Sequence, residues 1–216
     1  MKKHILIIFI IIPLIIISQN TYQIAILKYN GGGDWYANPS SLPNLVEFCN
    51  KNINTNIKKD IAIVETNDKA IYNYPFIHMT GHGNVIFNEN EIENLRNYLL
   101  SGGFLHIDDN YGMDPYIKRE LKKLFPNHKM IELPYNHLIF NQTYKFLNGL
   151  PKIHQHNSKD PVAYAIIEKG KIILLYTYES DLSDGWENQE IHNNSEIKRQ
   201  EALKMGANII EYSFSK

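Results

Sequence analysis

Short apolar runs alternate with stretches of helical periodicity between residues 22 and 133. Apolar runs of strand length lie at residues 22–29, 60–64, 76–80, 104–108 and 129–133. Between them, apolar positions recur every three or four residues, as at Ile92, Leu95 and Leu99. Continuous apolar runs indicate buried strands, and the helical spacing indicates amphipathic helices. Their alternation predicts an open, mostly parallel α/β sheet, flanked by helices in three layers.

Capping residues mark where two of these helices begin. Asn88 with Glu91 three residues later is a capping pair for the helix that contains Leu95. Asp114 followed by Pro115 opens the next helix, because proline is tolerated in the first helical turn. The helical pattern therefore fits between the predicted strands.

The rhythm changes after residue 133. Residues 162–168 and 171–178 predict an antiparallel hairpin, residues 134–160 and 179–194 predict long polar loops, and residues 195–214 predict a final helix. There is no internal repeat and no interdomain linker. We therefore predict one α/β domain over residues 19–216, with a C-terminal antiparallel hairpin and long loops.

The N-terminus has a different character. Lys2 and Lys3 precede an apolar stretch at residues 5–17 that is interrupted only by Pro13. This arrangement predicts a signal peptide at residues 1–18 and an exported protein, periplasmic or secreted. The alternative is a membrane anchor formed by residues 5–17. Either way, membrane contact is expected only through this segment.

Composition argues against nucleic-acid binding and against structures that depend on several cysteines. Lysines and arginines number 22 against 23 acidic residues, for a formal charge of -1, so no basic field exists to attract nucleic acid. Cys49 is the only cysteine, which excludes an internal disulfide and a cysteine-rich zinc site. Because Cys49 continues the helical stripe of Leu42, Leu45 and Val46, we expect it in the core.

Two predicted strands end in groups that can perform chemistry. His82 lies between two glycines after residues 76–80, and Asp108 and Asp109 end the strand at residues 104–108. Ligands of parallel sheets gather at the carboxyl ends of the strands, so these are the candidate catalytic residues. Neighbouring strand residues point to opposite faces, and we expect one aspartate to brace a loop through backbone N–H groups.

The first predicted strand runs into Asn30-Gly31-Gly32-Gly33-Asp34-Trp35-Tyr36. Phosphate binding is weakly indicated, because no Gly-Lys-Ser/Thr follows and Asp34 would repel the anion. Asp34 and Trp35 instead form a carboxylate beside an aromatic ring, which suits polyols and sugars. The alternative is that Trp35 only covers the edge of the core.

Histidines in the long loops indicate a metal site. His154 and His156 lie on one side of an extended segment, which is ligand geometry for zinc or another divalent metal. With His82 and one carboxylate they could activate a bound water. The alternative is two solvent-facing histidines. The remaining candidate ligand-binding residues are His137, Glu179, Asp184 and Trp186, the last as a cover over the ligand.

Four motifs together resemble a known bacterial family. They are Lys28-Tyr29-Asn30-Gly31-Gly32-Gly33-Asp34-Trp35-Tyr36, Met79-Thr80-Gly81-His82-Gly83, Gly102-Gly103-Phe104-Leu105 with Asp108-Asp109, and Asp184-Gly185-Trp186-Glu187. In this order they are similar to the family described as domain of unknown function 4159. The resemblance covers nearly everything after the predicted signal peptide. It implies a flavodoxin-like fold of the class I glutamine amidotransferase-like superfamily.

The resemblance implies no activity. Glutaminases of this fold carry their nucleophilic cysteine on the turn after the strand that residues 104–108 would occupy. Here that turn reads Asp108-Asp109-Asn110-Tyr111, so glutamine hydrolysis by a thiolate is not expected, and the fold by itself assigns no reaction.

Three functions therefore stay open. The first is binding of a small polar ligand, such as a glycan or another cell-envelope component, at the carboxyl edge of the sheet. The second is metal-assisted hydrolysis through His82, His154, His156 and a carboxylate. The third is a non-catalytic interaction domain of a cell-envelope assembly. The sequence leaves the cofactor unknown, with a divalent metal such as zinc as the one candidate it indicates.

Overall fold

The computed structural model of the chain describes residues 21–156 and 158–215. The signal segment predicted at residues 1–18, and its alternative as an anchor at residues 5–17, lie outside the described residues. In the described part of the chain, no helix combines the length and the apolar character needed to cross a bilayer.

A sheet of seven strands forms the centre of the fold. The strands are β1 (Ala25–Lys28), β2 (Ala62–Glu65), β3 (Phe76–Gly81), β4 (Phe104–Asp109), β5 (Ile131–Glu132), β6 (Val162–Glu168) and β7 (Lys171–Tyr178). Their order is β2-β1-β3-β4-β7-β6-β5, with β2, β1, β3, β4 and β7 parallel to one another. Only β6 runs antiparallel to its neighbours, which are β5 and β7. The open α/β sheet and its C-terminal hairpin are thus confirmed.

Helices cover both faces of the sheet. They are α1 (Ser41–Asn52), α2 (Glu89–Leu100), α3 (Asp114–Leu124), α4 (Leu182–Trp186), α5 (Gln189–His192) and α6 (Glu196–Ser215). The predicted capping box forms at α2: Glu91 N donates to the Asn88 side chain, and Asn88 N donates to that of Glu91. Two short helices, α4 and α5, occupy residues predicted as loop.

Two apolar cores lie on opposite faces of the sheet. Residues of α1, α4 and α6 pack with Phe76 and Phe104 on one face. Residues of α2 and α3 pack with Ile77 and Leu105 on the other face. Every residue of β3 and β4 is buried. Cys49 lies in the first core as expected, and burial raises the pKa of its thiol to about 12, which removes it as a nucleophile.

The strand order brings three chain segments to one edge. Strands β3, β4 and β7 are consecutive neighbours and parallel, so their carboxyl ends meet at the same edge. The two long loops join there, because Ile153 N donates to the carbonyl of Ser180 (2.9 Å). Residues that follow these strands and residues 151–156 are therefore close in space.

Candidate functional site

Asp34 holds the imidazole of His82 at the carboxyl end of β3. The backbone N–H of His82 donates to Asp34 Oδ1, and His82 Nδ1 lies 3.0 Å from Asp34 Oδ2. Gly81 has a φ of +135°, and a Cβ there would lie 2.9 Å from the Asp34 carbonyl oxygen. Glycine at this position therefore permits the close approach of the Asp34 backbone to the end of β3. The side chains of His82 and Asp34 are 54% and 34% exposed. The pair is accessible, and because Nδ1 is engaged, Nε2 is the nitrogen available to a ligand.

Asp108 lies beneath α4 and is fully buried. Its Oδ1 accepts from Thr177 Oγ1 (2.5 Å), and its Oδ2 accepts from Ser183 N (2.8 Å) and Ser183 Oγ (2.6 Å). Burial raises its pKa to about 6, although these hydrogen bonds oppose the rise. Asp108 thus fastens α4 to β4 and β7. It does not share an open hollow with His82.

Two buried histidines continue the Asp108 network into the core. His106 Nε2 lies 3.1 Å from Thr177 Oγ1, and His106 Nδ1 lies 3.1 Å from His78 Nδ1. The Thr177 hydroxyl thus joins the His106 imidazole to the Asp108 carboxylate. Burial lowers both pKa values, that of His78 to about 3. Both are neutral, hydrogen-bonded core residues.

Asp109 points to the opposite face from Asp108. It is also buried, accepting from Met113 N at Oδ1 (3.0 Å) and from the Tyr176 hydroxyl at Oδ2 (3.2 Å). Asp109 therefore braces the turn before α3 through a backbone N–H, and neither strand-end aspartate is open to a ligand.

His154 and Asp184 form a second imidazole–carboxylate pair. His154 Nδ1 lies 2.8 Å from Asp184 Oδ2, and His154 Nε2 lies 2.9 Å from Asn194 Oδ1. Asn38 Nδ2 donates to Asp184 Oδ1 (2.7 Å). The hydrogen bond to Asp184 raises the pKa of His154. Burial favours the neutral form of Asp184, but its hydrogen bonds outweigh this and lower its pKa.

Asp181 faces His156 from a left-handed backbone position, with φ of 56°. The residue is 1% exposed, and neither carboxylate oxygen accepts a hydrogen bond from the described part of the chain. His156 Nε2 lies 2.9 Å from Oδ2, out of line for such a bond. Burial, and then the charges of Asp108 and Asp184, raise the pKa of Asp181 to about 9.

Two groups of side chains here have metal-ligating spacing. One is His154, His156 and Asp181, and the other is His154, Asp184 and His192; within each, the ligand atoms lie within 4.8 Å of one another. His82 belongs to neither group. The structure therefore brings the predicted pair His154 and His156 together, but with Asp181, which sequence reasoning did not single out. Its only signal was its position three residues after β7.

Two other candidates lie away from an open site. Trp186 is fully buried, and its Nε1 donates to the Ala202 carbonyl (2.7 Å), so it is a core residue rather than a cover over a ligand. His137 packs on Tyr212, whose hydroxyl accepts from Ile172 N at the start of β7 (3.3 Å). That places His137 at the opposite edge of the sheet.

Glu179 and Trp35 lie at the carboxyl edge. Glu179 is buried, with Lys152 Nζ 3.4 Å from its Oε2. Trp35 is half-buried and packs edge-on against Tyr36 at 5.6 Å between ring centroids. Both aromatic residues line a pocket of about 240 Å³ beside α1.

One comparison with known proteins identifies a family. The model of the family described as "Domain of unknown function (DUF4159)" matches residues 23–214. No curated protein matches the chain.

Proposed function

The chain belongs to the DUF4159 family, and we propose that it binds a small, neutral, oxygen-rich ligand at the carboxyl edge of its sheet, through His82 and Asp34. The observation that carries this proposal is the exposed imidazole of His82, which Asp34 holds through both its backbone N–H and its ring Nδ1. A ring fixed in this way is preorganised to hydrogen-bond through Nε2.

Charge favours a neutral ligand over an anionic one. Besides Asp34, the buried acidic residues Asp109, Glu179 and Asp184 lie at or near this edge. Lys152 and His154 partner Glu179 and Asp184, so the carboxylate beside the exposed ring is Asp34, which repels phosphates and carboxylates and leaves hydroxyl-rich molecules favoured. This supports a polyol or glycan.

Aromatic surface beside Asp34 supports the same ligand class. Trp35 and Tyr36 follow Asp34 directly and line the pocket of about 240 Å³, which is smaller than typical drug-sized sites. Apolar rings offer a platform for the C–H face of a sugar ring, while His82 and Asp34 bind hydroxyl groups. The residues that line this pocket include neither Asp34 nor His82, so the aromatic platform lies beside the His82–Asp34 pair and does not enclose it.

Export would bring the domain to such ligands. We propose that residues 1–18 direct the chain out of the cytoplasm, so that the ligand is a glycan-like component of the cell envelope. The charged-to-apolar pattern of these residues supports this step.

His82→Ala is expected to raise the Kd for a neutral oligosaccharide by about 2- to 10-fold, the effect of losing one hydrogen bond worth about 0.5–1.5 kcal/mol. Isothermal titration calorimetry with maltotriose and N,N′-diacetylchitobiose measures it. His128→Ala is the matched control, because His128 Nε2 lies 3.0 Å from Glu168 Oε2 in a similar pair elsewhere. Absence of binding to both sugars, or equal Kd values for His82→Ala and the unchanged protein, would contradict the proposal.

A further inference from the structure

We propose that His154, His156 and Asp181 bind one divalent transition-metal ion, of the zinc class, at the carboxyl edge of the sheet. This metal site is independent of the His82–Asp34 pair, which belongs to neither group of ligating side chains. The site joins two segments that are distant in sequence, residues 151–156 and the loop after β7.

The spacing of the three side chains fits a metal centre. Their ligand atoms all lie within 4.8 Å of one another, and His156 Nε2 lies 2.9 Å from Asp181 Oδ2. Ligands of a tetrahedral zinc ion with bonds of about 2.0–2.1 Å lie roughly 3.3 Å apart. Both ring nitrogens of His154 already have partners, Asp184 at Nδ1 and Asn194 at Nε2, so binding of the ion through Nε2 replaces the contact with Asn194.

Asp181 supplies the second, independent observation. It is 1% exposed, and both oxygens lack a hydrogen bond from the described residues although His156 lies within reach. A buried carboxylate without donors is costly to fold. A cation between Asp181 and the two imidazoles gives these oxygens the partner that the described residues do not.

Neighbouring groups orient both histidines. Asp184 Oδ2 lies 2.8 Å from Nδ1 of His154, the arrangement in which an outer carboxylate fixes the ring of a metal ligand. The ring of Tyr111 stacks on that of His156 at 4.7 Å between centroids. Asp184 is already engaged by Asn38 and His154, which makes it an outer-sphere group and favours Asp181 as the oxygen ligand.

The surrounding charge also attracts a cation. Asp108, Asp184, Asp109 and Glu179 all lie close enough to Asp181 to act on its charge, and Lys152 approaches only Glu179 among them in the described contacts. Two imidazoles with one carboxylate favour zinc-like ions over Mg²⁺ or Ca²⁺, which prefer all-oxygen sites. The side chain of His156 is 34% exposed, so solvent can reach a fourth coordination position.

The test uses ZnCl₂ alone with the full-length, EDTA-treated chain. We expect one Zn²⁺ per chain by isothermal titration calorimetry and elemental analysis, and a Tm higher by about 5–10 °C at a hundredfold excess over Kd. Asp181→Asn and His156→Ala are expected to weaken binding by more than about 100-fold. Asp181→Asn keeps the side-chain shape, and His156 is partly exposed, so both variants should fold.

Two controls make the result specific. His128→Ala removes a histidine paired with Glu168 and should leave Zn²⁺ binding unchanged. His82→Ala should also bind Zn²⁺ normally, so failure of the sugar site and failure of the metal site are distinguishable. Less than stoichiometric Zn²⁺ on the unchanged protein, or equal Kd values for the protein and Asp181→Asn, would overturn the proposal.

Discussion

Trp186→Ala is expected to lower the free energy of unfolding by about 3–5 kcal/mol, the usual cost of truncating a large buried aromatic side chain. The ring is fully buried between the sheet and α6, with centroids 5.4 Å from His78 and 5.7 Å from His106. The variant also removes the donor to the Ala202 carbonyl. Urea unfolding followed by circular dichroism measures the loss, which is a large part of a typical stability of about 5–15 kcal/mol.

Trp35→Ala is the matched control. Trp35 is the chain's other tryptophan and is half-buried at the surface of the pocket, so its loss should cost clearly less. The opposite pattern, in which Trp186→Ala weakens sugar binding but leaves the urea midpoint in place, would restore Trp186 as a cover over the ligand.

The fold was predictable because its signals are local. The buried strands are continuous apolar runs, and Asn88 and Glu91, three residues apart, mark the start of α2. The strand at residues 129–133 was predicted too long: only Ile131–Glu132 pairs with β6, and both residues are exposed. An edge strand has a neighbour on one side only and is kept short in many sheets. The apolar residues at 129–133 therefore predicted a longer strand than the one that forms.

The site was only partly predictable because burial depends on distant segments. Residues 182–186 fold as α4 and pack over the end of β4. Ser183 N then donates to the Asp108 carboxylate, which α4 covers from solvent. No local pattern shows that a five-residue helix will cover a strand end. The same helix carries Trp186 into the core, although its acidic neighbours suggested a surface loop.

The burial of Asp181 likewise could not be predicted from its local sequence. In the sequence it is one acidic residue in a polar loop, and nothing nearby marks it as buried. Its role as a candidate ligand depends on His154 and His156, which reach it through the contact between Ile153 and Ser180. By contrast, the pairing of these two histidines was readable from their alternate positions along an extended segment.

Asp108→Asn is expected to remove a pH dependence of stability worth about 3 kcal/mol, because burial raises the folded-state pKa of Asp108 to about 6 and an unfolded aspartate has a pKa of about 3.9. Between these two values the folded chain binds more protons than the unfolded chain. The free energy of unfolding therefore falls as pH rises from about 4 to 7, by about 1.4 kcal/mol for each pH unit that separates the two pKa values.

Urea unfolding of both proteins at about pH 4 and about pH 7.5, on either side of this window, measures the contribution. Titrating groups on which Asp108 does not act are shared, so their effects cancel, and the difference measures Asp108 together with its charge interactions with Asp181 and Asp184. The introduced amide faces Ser183 and Thr177 at every pH, so any cost of the substitution itself is constant and cancels as well. Asp160→Asn, which alters an exposed carboxylate, should keep the pH dependence of the unchanged protein.

The contrary result has an equally definite meaning. If Asp108→Asn loses as much stability between the two pH values as the unchanged protein does, Asp108 is already ionised at the lower pH. The hydrogen bonds from Thr177 and Ser183 would then outweigh its burial, since donors to a carboxylate favour the charged form. The end of β4 would in that case hold a buried negative charge at both pH values. The negative potential around Asp181 at acidic pH would then be stronger than it is with a protonated Asp108.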